Sequence, residues 1–341
     1  MRQLTLVSYG KAAEAFELRE SPTPNPEPGQ LLIEVEGFGL NFADVMARQG
    51  LYREAPRLPF VPGYEVVGKV LTPGAGVSND WLGRRVVAFC RFGGYSDHAL
   101  VDHRAAGVIP ECMPPGEACA LATQYCTAYY MTDYSNKLRT DETALIHAAA
   151  GGVGTALVQL CRRKGIFTIG LCGSVEKLAY LREIGVDLPI CYKEQSYPDV
   201  IEGRLGKRKV DYVFNTSMGK SFRVDRKLLN YGGKLFCFGG ASRSGSKGYL
   251  VNDLSFLFQT GFLSPLFMMM QSQSIMGVNM LRLADHRVGV IGACLRELID
   301  LHTAGEVHPQ VGGTFSAAEI ASAHEMLESG KSMGKIYVHW T

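Results

Sequence analysis

The chain has 341 residues, of which 46% are hydrophobic and 20% are charged, and its 35 Lys and Arg nearly balance its 33 Asp and Glu. This length is enough for two domains with cores of their own, and the charge balance excludes the strongly basic surface typical of nucleic-acid-binding proteins. The nine cysteines are scattered without C-x-x-C pairs, which favours reduced thiols over a disulfide framework. No secretory signal is evident at the N-terminus, so we expect a cytoplasmic protein.

Residues 1–122 are predicted to form a mostly β domain. Short apolar strands are expected at residues 30–36, 66–71 and 85–89, because turns rich in proline and glycine separate these runs. A short helical segment is expected from Asn41 to Arg48.

The C-terminal residues 284–341 are assigned to the same β domain. Amphipathic helices are expected at residues 287–304 and 317–329, and a closing strand at residues 335–339. This last strand has no hairpin partner beside it. We therefore expect it to return to the sheet of the N-terminal region.

Residues 123–283 alternate between apolar strands and helices. This alternation predicts a doubly wound parallel sheet that binds ligands beyond the carboxyl ends of its strands. The predicted strands lie at residues 143–147, 167–172, 189–192, 210–215, 234–238 and 274–278.

The turn after the first of these strands is made of small residues, A-A-A-G-G-V-G, and leads into a helix. Small residues at these places permit a tight turn, a close approach to a pyrophosphate and close packing of the helix on the strand. The turn therefore predicts dinucleotide binding, with a purely structural turn as the alternative. Its predicted cofactor-binding residues are Ala149, Gly151, Gly152, Val153 and Gly154.

The second strand ends near Ser174 and Lys177, where an NAD-binding unit usually carries an acidic residue for the ribose hydroxyl. A hydroxyl and an ammonium would accept a 2′-phosphate that a carboxylate would repel. The pattern predicts NADP(H) over NAD(H). The alternative is that Ser174 only caps its helix and that Lys177 is solvated.

Several other patterns are given structural interpretations. Cysteines at 112, 119 and 126 are interpreted as small buried residues, and His147 as a core residue that ends a strand. The apolar stretch 254–270 contains Gln, Gly and Pro and is too short for a membrane span. We expect it to line an apolar pocket, with peripheral membrane contact as the alternative.

Four motifs together resemble one family: N-F-A-D-V-M-A-R-Q-G-L-Y at 41–52, P-G-Y-E-V-V-G-K-V at 62–70, the small-residue turn, and G-K-I-Y-V at 334–338. They resemble the zinc-free quinone oxidoreductase branch of the medium-chain dehydrogenase/reductase superfamily, over essentially the whole chain. Residues 274–281 are most similar to its synaptic vesicle membrane protein (vesicle amine transport protein) subgroup. The resemblance implies an α/β fold, with a Rossmann sheet and a mostly β, GroES-like catalytic domain.

The resemblance also implies a catalytic site without metal. Zinc-dependent relatives have cysteine and histidine where this chain has Asn41 and Tyr64. Asn41 and Tyr52 are expected to polarise a substrate carbonyl, Asp44 to orient its neighbours, and Tyr64 to join them. The alternatives are that Asp44 caps its helix or pairs with Arg48, and that Tyr64 only fills space.

Further cofactor contacts follow from the same resemblance. Thr127 is expected at the nicotinamide, and Tyr192 at the adenosine phosphate with Ser174 and Lys177. The turn after the fifth strand is expected to approach the nicotinamide closely, with Phe238, Gly239 and Gly240.

The function implied is an NADPH-dependent, zinc-independent reductase of quinones or activated enones, acting on a small apolar carbonyl or quinone substrate. The alternative is a catalytically weak cofactor-binding protein that is a membrane-associated partner in vesicle traffic. Homodimerisation is implied, with the strand near residues 275–278 as a partner at the sheet edge.

Overall fold

The computed structural model describes residues 1–207, 209–239 and 263–340. The chain divides into two compact units: residues 1–129 with 280–341, called the β unit, and residues 130–279, called the parallel-sheet unit. The sequence-based domain boundaries near residues 122 and 284 stay a prediction.

The β unit is built on a mostly antiparallel sheet of seven strands within the described residues: six follow one continuous order, β14-β15-β3-β4-β5-β7, and β6 pairs with β3 beside it. Apolar β-branched residues dominate these strands, and their inward side chains pack into one buried core. The strands are β1 (Arg2–Leu6) and β2 (Phe16–Glu20), which form a separate pair, then β3 (Gln30–Leu40), β4 (Glu65–Pro73), β5 (Arg85–Phe89), β6 (His98–Asp102), β7 (Ala106–Val108), β14 (Val311–Ser316) and β15 (Lys335–His339).

The closing strand β15 pairs with β3 in antiparallel register, which confirms that the C-terminal strand returns to the N-terminal sheet. On its other side β15 pairs in parallel with β14. We did not predict β14, because its sequence V-G-G-T-F-S lacks the apolar alternation of a strand. The arrangement places the first residues of β4 and β15 near the end of β3.

Helices of the β unit flank this sheet. The helix predicted from residue 287 in fact begins at Met280, and its backbone is non-helical only at Arg287. The α-helices are α1 (Ala12–Ala15), α2 (Phe42–Arg48), α3 (Pro115–Ala120), α4 (Cys126–Tyr129), α10 (Met280–Thr303) and α11 (Ile320–Glu328), with a π-helical turn at Leu121–Tyr125.

The parallel-sheet unit contains six described strands, all parallel, in the order β10-β9-β8-β11-β12-β13. This confirms the predicted α/β doubly wound sheet. The strands are β8 (Thr143–Ile146), β9 (Phe167–Cys172), β10 (Leu188–Cys191), β11 (Val210–Asn215), β12 (Leu229–Cys237) and β13 (Ser274–Gly277), and the helices are α5 (Gly152–Arg163), α6 (Lys177–Glu183), α7 (Tyr197–Leu205), α8 (Lys220–Leu228) and α9 (Pro265–Gln271).

His147 directly follows β8 and is buried, which confirms its interpretation as a core residue. Its Nε2 lies 2.9 Å from Asp225 Oδ2 on α8. The same carboxylate accepts hydrogen bonds from Tyr197 (2.8 Å) and from Asn215 at the end of β11 (2.5 Å). These contacts tie α7 and α8 to the carboxyl end of the sheet.

The apolar stretch 254–270 is described only from residue 263 onward, and its earlier part lies outside the described residues. Leu266, Phe267, Met269 and Met270 on α9 are exposed. No helix in the described ranges has the length and apolar character needed to cross a membrane.

Candidate functional site

The small-residue turn joins β8 to α5, as the sequence predicts. Gly151 is the N-cap of α5, and its N–H donates to Ala148 O at 2.8 Å. A Cβ on Gly154 would lie 2.3 Å from Ala148 O and 2.6 Å from Ala149 Cα. Since both are backbone atoms that cannot yield, only glycine fits position 154. The turn thereby exposes the N-terminus of α5, a ready site for an anion.

Ala149 replaces the first glycine of the fingerprint without a clash. Its N–H donates to Leu171 O on β9 at 2.9 Å, which anchors the turn to the neighbouring strand. Opposite it stands Gly170, where an added Cβ would lie 3.1 Å from the Ala149 Cβ. The methyl group of Ala149 therefore occupies space that a side chain on β9 would otherwise fill.

Three predicted phosphate-binding residues lie at the carboxyl ends of β9 and β10. A Cβ on Gly173 would meet the Tyr192 hydroxyl at 2.8 Å, which places this tyrosine beside the residue before Ser174. Lys177 is the first residue of α6 and is half-buried, and burial lowers its pKa. These residues could hold a phosphate next to the sheet edge.

Ser174 is not the N-cap of α6. That position is Glu176, whose side chain accepts no capping hydrogen bond from the first turn of the helix. Hydrogen bonds from its own backbone and from the Ser174 hydroxyl lower the pKa of the exposed Glu176 carboxyl. A phosphate bound here would meet this carboxylate as well as the Lys177 ammonium.

The turn after β12 is described as far as Gly239. Phe238 N donates to Asn215 O at 3.2 Å, and a Cβ on Gly239 would lie 2.8 Å from Thr216 O. The turns after β11 and β12 are therefore in close contact. Gly240, the third residue predicted in this turn, lies outside the described residues.

Asn41, at the start of α2 in the β unit, belongs to a buried polar network. Its Nδ2 donates to Glu65 Oε2 at 2.7 Å, and its Oδ1 accepts from Lys335 Nζ at 3.2 Å. Lys335 also contacts Glu65, and the Thr123 hydroxyl donates to Glu65. We call Asn41, Glu65, Thr123 and Lys335 the Asn41 network.

Asp44 lies one helical turn after Asn41 and is buried. Its carboxyl group accepts hydrogen bonds from Asn41 N at 2.8 Å and Gly63 N at 3.2 Å. Burial raises the pKa of Asp44 to about 8, against the lowering effect of these bonds. Arg48, the alternative partner, bonds instead to Gly10 O and Glu328. Asp44 thus joins the start of α2 to the segment before β4.

Tyr52 and Tyr64 form an aromatic pair, with ring centroids 6.2 Å apart and an edge-on angle of 80°. Burial raises the pKa of Tyr52 to about 12 and that of Tyr64 well above its ordinary value, so both hydroxyls keep their protons at neutral pH. The Tyr64 hydroxyl is buried, and a side-chain hydrogen bond between the two tyrosines contributes to both pKa shifts after burial. Both protonated hydroxyls are hydrogen-bond donors.

Thr127 is buried on α4, and its hydroxyl donates to Thr123 O at 2.6 Å. In the β unit, the structure brings Asn41 together with Glu65, Thr123 and Lys335, three residues that sequence reasoning missed. A signal was present, because Glu65 and Lys335 are charged residues that open strongly apolar strands, where an unpaired charge would be costly.

Within residues 1–207, 209–239 and 263–340, no group of three or more His, Cys, Asp or Glu side chains could hold a metal ion. Cys119 and Cys126 are buried, as interpreted from the sequence, but Cys112 is exposed, so its interpretation as a buried residue is wrong.

Two family models match the chain. Residues 27–128 match the alcohol dehydrogenase GroES-like domain, and residues 184–338 match the zinc-binding dehydrogenase family. Together they cover most of the β unit and the second half of the parallel-sheet unit.

Similar proteins cover nearly the whole chain. The human synaptic vesicle membrane protein VAT-1 homolog is 32% identical over 98% of this chain and 86% of its own length. A quinone oxidoreductase of Rattus norvegicus is 29% identical over 98% of this chain and 97% of its own length. Among solved structures, that of mycobacterial Rv1454c complexed with NADPH is 25% identical, covers all of both chains and has a TM-score of 0.84.

Proposed function

Because the chain belongs to the quinone oxidoreductase branch of the medium-chain dehydrogenase/reductase superfamily, we propose that it is an NADPH-dependent reductase that acts on quinones or activated enones without zinc. NADPH supplies the hydride when it is bound. The observation that carries the cofactor assignment is the turn at Gly154, where a Cβ would stand 2.3 Å from backbone. A turn held this tight leaves the N-terminus of α5 open to a pyrophosphate.

The proposed cofactor residues fit NADPH in their chemistry. Gly152 to Gly154 would hold the pyrophosphate on backbone N–H groups, and Gly151, whose N–H bonds to Ala148 O, would let the backbone approach it closely. Lys177, Ser174 and Tyr192 would together hold the 2′-phosphate, because an ammonium and two hydroxyls all donate to phosphate oxygens. The NADPH complex of the mycobacterial relative supports this choice of cofactor.

The proposed substrate residues are neutral hydrogen-bond donors. When hydride reaches a quinone or enone, negative charge develops on its carbonyl oxygen, and donors already in place stabilise that charge. Asn41 has one N–H not used by Glu65, and Tyr52 and Tyr64 carry protonated hydroxyls. Such donors suit a substrate whose reduced form delocalises the charge.

The cysteine and histidine that bind zinc in zinc-dependent relatives are absent from the corresponding positions of this chain. Asn41 and Tyr64 stand where zinc-dependent relatives have cysteine and histidine, and an amide and a protonated phenol are poor zinc ligands. The Lys335 ammonium, which contacts both Asn41 and Glu65, would also repel a divalent cation.

The experiment that tests the proposal is the rate of NADPH oxidation with benzoquinone, a naphthoquinone and an α,β-unsaturated ketone. We expect turnover on the order of 10 s⁻¹ with at least one of them and a lower rate with NADH. Tight NADPH binding without turnover on any substrate would instead favour the alternative of a non-catalytic partner in vesicle traffic.

A pair of tyrosine variants sharpens this experiment. Tyr52→Phe should lower kcat about tenfold, the cost of one hydrogen bond in the transition state. Tyr9→Phe is the matched control, because Tyr9 is 52% exposed and lies outside the proposed site. Equal kcat for both variants removes Tyr52 as a donor.

We also propose that the protein is a homodimer. β13 is the last strand in the described sheet order, with β12 on one side, and a second copy could pair with its other edge. Light scattering of the purified protein should give the mass of two chains, and the mass of one chain would contradict this assignment.

A further inference from the structure

The Asn41 network contains a buried ion pair that the proposed reaction does not use directly. We infer that Lys335 and Glu65 are positioning residues that hold the Asn41 amide in one orientation, with one Nδ2–H directed to the substrate oxygen. The inference rests on the proposed function for the role of Asn41. The fixed orientation itself can be measured without turnover.

All donors of the ion pair have partners inside the β unit. The Lys335 ammonium donates to Leu40 O at 3.1 Å, to Asn41 Oδ1 at 3.2 Å and to the Glu65 carboxylate. These three bonds use its three protons. Both charged side chains are 0% exposed, so water cannot compete for them.

This arrangement defines which way the Asn41 amide faces. A cation lies at its oxygen and a carboxylate at its nitrogen. A flip would set the NH₂ group against the ammonium and the oxygen against the carboxylate, and both contacts would be repulsive. Within the described residues Nδ2 makes one hydrogen bond, to Glu65, so its second N–H remains for a ligand.

The backbone is shaped to admit the pair. A Cβ on Gly39 of β3 would lie 2.1 Å from Glu65 Oε1 and 2.1 Å from Lys335 Cε. Any other residue at position 39 would displace both side chains. Gly39 pairs with Tyr337 in the sheet, so the space opens where β15 and β3 meet.

Stability alone does not account for the ion pair. Removing two charges from water is costly, and a well-packed apolar pair of similar size often stabilises a fold equally well. Apolar side chains at positions 65 and 335 could not distinguish the two edges of a flat amide. The property that only the charged pair supplies is the orientation of Asn41.

A first test reads the Asn41 amide directly by NMR of ¹⁵N-labelled protein, with the resonance assigned by its loss in Asn41→Ala. In the parent protein, one Nδ2 proton should be protected from hydrogen exchange by Glu65, and benzoquinone added with NADP⁺ should shift the other. Two equally unprotected protons would overturn the inference, and this measurement needs no variant of the ion pair.

A second test is a mutant cycle with Glu65→Gln/Lys335→Met, which removes both charges and keeps the side-chain shapes. We expect kcat for benzoquinone to fall at least about tenfold, with unchanged NADPH affinity. In an Asn41→Ala background the same double substitution should cause no further loss. An equal loss in both backgrounds would mean a merely structural role and would overturn the inference.

Glu36→Gln/Arg85→Met is the matched control, because this pair is also bonded at 2.8 Å in the β unit but does not contact Asn41. It should leave kcat unchanged. If the parent protein does not oxidise NADPH with any quinone or enone, the proposed function fails, while the NMR experiment still decides whether Asn41 is held in one orientation.

Discussion

The glycine turn of the parallel-sheet unit and the Asn41 network of the β unit are built in opposite ways. The turn consists of residues that are neighbours in the sequence. It depends on the missing side chain of Gly154, since a Cβ there would clash with the backbone of Ala148 and Ala149. The Asn41 network consists of side chains from four elements, and Glu65 and Lys335 are 270 positions apart. The turn needs close packing, whereas the network needs its charges satisfied.

The largest expected effect is a loss of stability when one charge of the Asn41 network is removed. Lys335→Met leaves Glu65 buried without its cation, so the free energy of unfolding should fall by about 3–5 kcal/mol. Glu65→Gln/Lys335→Met should lose much less, because no unpaired charge remains. Urea unfolding measures both. Arg19→Met, which breaks an exposed ion pair with Glu17, is the control and should have no measurable effect. A double variant less stable than Lys335→Met would contradict this account of the network.

The glycine turn should lose cofactor binding when a side chain disturbs its packing. Gly154→Ala places a methyl group against Ala148 O, so the NADPH dissociation constant should rise about 100-fold or more, equivalent to about 2.7 kcal/mol. Fluorescence titration measures this. Gly203→Ala on α7 is the control, since its Cβ would meet nothing within 4 Å. Parent-like binding by Gly154→Ala would show that the turn is not the cofactor site.

Asp44 adds a pH dependence to the β unit. Its folded pKa is about 8, raised by burial, while the unfolded chain loses this proton near pH 4. Between these two values only the folded state keeps the proton. The contribution of Asp44 to the free energy of unfolding is therefore complete below about pH 4 and is lost as the pH rises toward 8. Between about pH 6 and 7.5 the free energy of unfolding of the parent should fall by about 2 kcal/mol more than that of Asp44→Asn.

Asp102→Asn is the control for this slope. Hydrogen bonds from Arg104 lower the pKa of Asp102, so this carboxyl is ionised in both states above about pH 5. Removing it should leave the slope between pH 6 and 7.5 unchanged. If the free energy of unfolding of Asp44→Asn falls with pH as steeply as that of the parent, another group binds the proton.

A smaller effect concerns cofactor choice at the ends of β9 and β10. Lys177→Ala should weaken NADPH binding about tenfold and leave NADH binding unchanged, because only the 2′-phosphate would meet the ammonium. Lys193→Ala is the control, since Lys193 is exposed just after β10. An equal loss of affinity for NADPH and NADH would mean that Lys177 does not contact the 2′-phosphate.

The same contrast explains what the sequence could predict. The turn is local, so small residues between an apolar strand and a helix were enough to identify it, and the parallel order of the sheet followed from the alternation of strands and helices. The partner of Asn41 was not predictable in this way. Glu65 and Lys335 meet only because β15 returns to β3, and no spacing in the sequence encodes that pairing. The strand Val311–Ser316 was missed for a related reason, since its glycines give no periodic pattern.

We propose that a protein-built network in the β unit takes the place of a metal in carbonyl reduction. The direct measurement is kcat for quinone reduction by NADPH before and after exhaustive chelation, with zinc content determined on the same samples. We predict far less than one zinc ion per chain and an unchanged kcat. One zinc ion per chain, lost together with activity on chelation and restored with it, would contradict the account.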